Sequence, residues 1–103
     1  MIDEAVIHDA ARRLHAAAPS AQVILFGSRA RADAGRHSDL DFLVVEPEVQ
    51  NAADESVRLM RTLRDLRIPV DVIVVSKSYA DAWRDVHGTL VHAAMAEGRV
   101  LAG

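Results

Sequence analysis

The chain has 103 residues, 50% of them hydrophobic but only 4% aromatic, so a single domain over residues 1–103 with a core of Ala, Val, Leu and Ile is expected. Its net charge of −3 supplies no long-range attraction to nucleic acid, and the lack of cysteine excludes disulfides and thiolate metal sites. No apolar run is long enough to cross a bilayer and no signal-peptide pattern occurs, so no membrane partner is expected and the location is read as cytoplasmic.

Residues 3–17 are predicted to be helical. Asp3 can cap the start, and Val6, Ala10, Leu14 and Ala17 recur at helical spacing until Pro19 and Ser20 break the pattern. Gln22 to Phe26 is a short apolar run, read as a buried strand that Gly27 ends. A short helix from Ser28 to Ala34 and a loop at Gly35 to Ser38 follow. Residues 39–46 form a second strand that Pro47 stops.

Residues 51–66 are predicted as a second helix with Leu59, Leu63 and Leu66 as its apolar stripe, joined by Met60, and with Arg58, Arg61 and Arg64 facing outward. Residues 70–75 form a third strand. Ser78 is expected to cap a last helix reaching Glu97, with Tyr79, Trp83, Val86, Leu90 and Ala94 along one face and Gly98 as its stop. Tyr79 and Trp83 are read as core residues; the alternative is that part of this stripe faces another protein. The order helix–strand–helix–strand–helix–strand–helix predicts an α/β or α+β domain around a three-stranded sheet.

The chemistry concentrates in two stretches, Gly27-Ser28-Arg29-Ala30-Arg31 and Ser38-Asp39-Leu40-Asp41. Side chains two apart on a strand point the same way, so Asp39 and Asp41 share a face. Two adjacent carboxylates repel unless a cation sits between them, and a divalent metal is the usual solution. Asp71 opens the later run Val70 to Val75 and shares strand parity with Ile73 and Val75. Gly27 leaves room for backbone N–H groups to approach a phosphate, the helix start after it favours an anion, and Ser28 adds a hydroxyl. Arg29 and Arg31 are either phosphate contacts or surface charges, and Ser38 either caps the turn before Asp39 or touches the site. Carboxylates, hard-metal sites and a small-residue turn together fit phosphoryl or nucleotidyl transfer. His87 and His92 are five apart and so are not expected to share a helical face.

Gly27-Ser28, Asp39-x-Asp41 and the lone Asp71 resemble the nucleotidyltransferase superfamily that includes DNA polymerase β. The run GSRARADAGRHSDLDFLVV and the short length are similar to its minimal nucleotidyltransferase (MNT) branch, the antitoxin partners of HEPN toxins. The resemblance covers roughly residues 20–76, with Ala32 standing where many members carry Gly, and the end Ala96 to Leu101 also looks like that branch. It implies a mixed β-sheet with helices on one face and the active site on the other. It also implies Asp39, Asp41 and Asp71 as catalytic metal ligands for Mg²⁺, two ions by family pattern, with Asp71 nearest the incoming hydroxyl. Gly27, Ser28, Arg29 and Ser38 would hold the nucleotide, ATP. The implied reaction joins AMP to a hydroxyl, a tyrosine of a HEPN ribonuclease toxin held in a complex, with no direct nucleic-acid partner. Two competing expectations are an antitoxin that inhibits by contact alone and a small-molecule transferase; the latter class generally adds an acceptor domain.

Overall fold

A computed structural model describes residues 3–27 and 40–103. Its elements are α1 (Glu4–Ala17), β1 (Gln22–Phe26), β2 (Leu40–Glu46), α2 (Ala52–Arg61), a 3₁₀ turn (Arg64–Leu66), β3 (Val70–Ser76), α3 (Lys77–Trp83), α4 (Leu90–Glu97) and β4 (Arg99–Ala102). The four strands form one mixed sheet in the order β3-β2-β1-β4. β1 is antiparallel to β2 and β4, whereas β2 and β3 run parallel, as expected for strands joined through a helix.

Local chemistry explains most boundaries. The Asp3 side chain accepts from Val6 N–H to open α1, and Asn51 does the same for Asp54 N–H at α2. α2 ends at Arg61 and its last stretch tightens into the 3₁₀ turn, so the sixteen-residue helix expected from the sequence is shorter. Ser76, not Ser78, caps α3 by accepting from Tyr79 N–H. The expected single last helix is two: Gly88 adopts φ +87, and Thr89 caps α4 by accepting from His92 N–H. β4, which the sequence reading missed, follows Gly98 and pairs with β1.

Strand parity divides the core. Val23, Leu25, Leu40, Phe42, Val44, Val72 and Val74 face Ile7, Ala10, Leu14 of α1 and Leu59 and Leu63 around α2. Ile24, Leu43, Val45, Phe26, Ile73 and Val75 point the other way, toward Ala80 of α3 and Val91 and Ala94 of α4. Phe42, Leu14, Leu43 and Leu59 are fully buried, each contributing ~1.5–3 kcal/mol by removal from water. Helices therefore lie on both faces rather than the one expected from the resemblance. The correction is physical: Ile24, Leu43 and Val45 are too apolar to face water, and α3 and α4 cover them. Tyr79 and Trp83, expected in the core, stand 49% and 41% exposed with their ring centroids 5.9 Å apart.

At the far end of β2 the chain stores an unusual acid pair. Oε2 of Glu46 is buried with no hydrogen-bond partner among the described residues. The Glu55 carboxylate lies within hydrogen-bonding reach and is itself gripped by Arg58 at 2.7 Å. Two carboxylates in contact are both acceptors, so one must carry the proton. Burial, followed by the Glu55 contact, pushes Glu46 up to about 7. The Arg58 bond first, and the Glu46 bond second, hold Glu55 down at about 2.

Candidate active site

Three strands place one row of residues side by side. Phe26 of β1 is the register partner of Asp41 in β2, and Asp41 is the register partner of Asp71 in β3. Neighbouring strands lie ~4.8 Å apart, so residues paired across them present their side chains together. Asp41 has the parity of Leu43 and Val45, and Asp71 that of Ile73 and Val75; both carboxylates therefore rise from the α3/α4 face of the sheet. Two acids of like charge side by side on one face are unfavourable alone and favourable around a divalent cation.

Gly27 makes this arrangement possible. It takes φ +80, and a Cβ built on it would stand 2.8 Å from Oδ2 of Asp41. The absent side chain is the space into which the Asp41 carboxylate fits. A strand-ending glycine thus serves two needs, a turn open to few other residues and close approach of a backbone to a carboxylate. Asp41 is partly buried, while Asp71 is exposed and its side chain makes no hydrogen bond or ion pair among the described residues. Asp71 is therefore available to a ligand without losing a structural contact. Oxygen-only donors at this spacing fit a hard cation such as Mg²⁺.

The structure thus brings Gly27, Asp41 and Asp71 together. Asp39, Ser28, Arg29, Arg31, Ser38 and Ala32, with the expected helix at 28–34 and loop at 35–38, lie outside the described residues. Among the described residues no group of three or more His, Asp or Glu side chains is assembled for a metal. Sequence spacing separated His87 from His92, yet their rings lie 4.2 Å apart because His87 precedes α4 in the Gly88 loop rather than belonging to the helix. The His92 ring is fixed by Nδ1 at 2.8 Å from the Arg84 carbonyl. The signal that could have found this pair was Gly88 itself, a turn residue inside the supposed helix.

Comparison with known proteins fits this geometry. The chain resembles in fold a toxin–antitoxin complex solved with AMP-PNP, at 20% identity and a TM-score of 0.67, covering 93% of this chain and 73% of that one. A structure from Sulfolobus solfataricus described as a nucleotidyltransferase is 28% identical with a TM-score of 0.60, over 76% of this chain and 70% of that one. A variant of the toxin–antitoxin complex MntA–HpeT with two aspartates changed to glutamate aligns at 18% identity and a TM-score of 0.66, over 93% and 73%. No functionally curated protein matches. No helix among the described residues is long and apolar enough to cross a membrane. The model of the nucleotidyltransferase domain matches residues 7–92, which takes in Gly27, Asp41 and Asp71 and all the elements from α1 into α4, and the chain belongs to that family.

Proposed function

We propose that the chain is the MNT-type antitoxin of a two-protein system and that it transfers AMP from ATP to a hydroxyl of its HEPN ribonuclease toxin, a tyrosine, silencing it. The observation that carries this reading is the Phe26–Asp41–Asp71 row with Gly27 against the Asp41 carboxylate, in a chain of the nucleotidyltransferase family. The fold likeness to a toxin–antitoxin complex solved with AMP-PNP supports both the nucleotide and the partner.

In this reading Asp39, Asp41 and Asp71 hold Mg²⁺, which when bound neutralises the triphosphate and polarises the α-phosphorus. Gly27, Ser28, Arg29 and Ser38 cradle the phosphates. The acceptor oxygen bonds to the α-phosphorus, the bond to the pyrophosphate oxygen breaks, and the acceptor proton passes to Asp71. Exposed Asp71 is suited to that task, because its side chain makes no contact among the described residues that protonation would break. The partner delivers the acceptor. The location proposed is the cytoplasm.

The test is intact mass spectrometry of the toxin that co-purifies with this chain, after incubation with ATP and Mg²⁺, beside an Asp41→Ala control. Mass gain by one or more AMP units only with the intact acids supports the enzyme. A stable complex with no gain would instead support inhibition by contact.

A further inference from the structure

Outside the proposed catalytic row, the charges of the molecule are unevenly satisfied. Arg12, Arg13, Arg58, Lys77, Arg84 and Arg99 each have a carboxylate within salt-bridge distance. The guanidinium groups of Arg61, Arg64 and Arg67 have no hydrogen bond or ion pair. These three follow one another at three-residue intervals across the end of α2 and the 3₁₀ turn, and all are exposed. The acid closest to them in sequence, Asp65, is turned away to Arg13 of α1 at 2.6 Å. Every unpaired arginine or lysine among the described residues therefore falls in one stretch of chain, residues 61–67, on a chain whose net charge is −3.

Two of the three border an apolar surface. Arg61 and Arg64 rim a groove of about 310 Å³ lined by Val57, Met60, Ile68 and Val70. Val57 and Met60 stand 49% and 39% exposed. Met60, read from the sequence as part of the buried stripe, faces this groove instead. Val57, Met60 and Arg61 share one side of α2, and Arg64 follows in the 3₁₀ turn on the same groove. Apolar side chains beside unpaired arginines form the complement of an amphipathic helix that carries acids along its flank. Nucleic acid fits less well, since the groove offers no aromatic ring for a base to stack on.

We propose that this groove docks an acidic amphipathic helical segment of the partner protein. Its lining reaches Val70, which precedes Asp71 in β3 but points to the opposite, α1/α2 face of the sheet, so a segment seated there holds the partner from behind the sheet and leaves the face of the proposed catalytic carboxylates open. The identity of the partner as acceptor rests on the nucleotidyltransferase reading; the docking chemistry does not.

The test uses the whole chain, labelled with ¹⁵N, and a synthetic helix-forming peptide with leucines and glutamates at helical spacing. A scrambled peptide of the same composition and a single-stranded oligoribonucleotide serve as controls. The expected result is amide shifts confined to Val57, Met60, Arg61, Ile68 and Val70. Affinity should fall about tenfold or more in the exposed charge reversal Arg61→Glu/Arg64→Glu and with added salt. Asp71→Asn should bind the peptide as the wild type does even though transfer is lost, which separates failure of docking from failure of the chemistry. Shifts that are absent or scattered, equal binding of the scrambled peptide, indifference to charge reversal, or tighter binding of the oligoribonucleotide would each overturn the inference.

Discussion

Glu46→Gln isolates a titration that the fold shifts strongly. Glu46 sits at about 7 in the folded chain against an ordinary value of 4.5. Between those pH values the folded state holds a proton that the unfolded chain has released. The contribution is complete below pH 4.5 and is lost as pH rises through 7. Glu55 acts in the opposite sense: held at about 2, its contribution is present above pH 4.5 and lost toward pH 2, outside the window of interest. At ~1.4 kcal/mol per decade the Glu46 term would reach roughly 3 kcal/mol, which partial exposure and screening cut to about 1–2 kcal/mol. Glutamine keeps the shape, donates to Glu55 permanently and never ionises. The variant should match the wild type near pH 5 and exceed it by about 1–2 kcal/mol at pH 8. With a urea slope of ~1–1.5 kcal/mol/M for so small a domain, the midpoint should move up by about 1 M at pH 8 and little at pH 5. Other titrating groups cancel in the difference between the two proteins. A gap that does not change between pH 5 and pH 8 would refute the shared proton.

Three further outcomes follow from the geometry. Gly27→Ala should lose ~1–2 kcal/mol of stability from the left-handed backbone, and its Cβ should displace the Asp41 carboxylate; nucleotide transfer should fall further than the unfolding midpoint implies, which parallel urea melts and rate measurements would show. Asp71→Asn should leave folding intact while transfer falls by roughly 10²–10⁴-fold, the worth of several kcal/mol of metal-held charge stabilisation; a near-normal rate would remove Asp71 from the site. Leu59→Ala, which empties a fully buried position between α2 and the sheet, should cost ~2–5 kcal/mol by thermal or urea unfolding.

Much of this was legible in the sequence, for reasons that can be named. The strands carrying Asp41 and Asp71 were found because runs such as Phe42 to Val45 and Val72 to Val75 are continuous, apolar and β-branched, and strand parity then assigns each acid a face. Asp3 and Asn51 sit at helix starts because local side-chain bonds decide those positions. The last third was less readable. Tyr79, Trp83, Val86 and Leu90 keep helical spacing across a break, so periodicity predicted one buried helix where Gly88 makes two and all four side chains stay exposed. Spacing reports which residues share a face, not what the face meets. β4 escaped because four residues give too short an alternation to recognise, although Gly98 followed by Val100 and Leu101 was its trace. The site was half visible: residue types and order suggested metal chemistry, whereas the adjacency of Asp41 and Asp71 depends on parallel pairing of β2 with β3, a long-range fact.

The most direct test of the central claim is a double-mutant cycle on nucleotide transfer to the co-purified partner, comparing wild type, Asp41→Asn, Asp71→Asn and the double variant in single turnovers. If the two carboxylates act on the same bound ion, the double variant should be about as slow as the slower single one, because losing either carboxylate already disables the unit. Losses that simply multiply, or one single variant that transfers at the wild-type rate, would contradict the account.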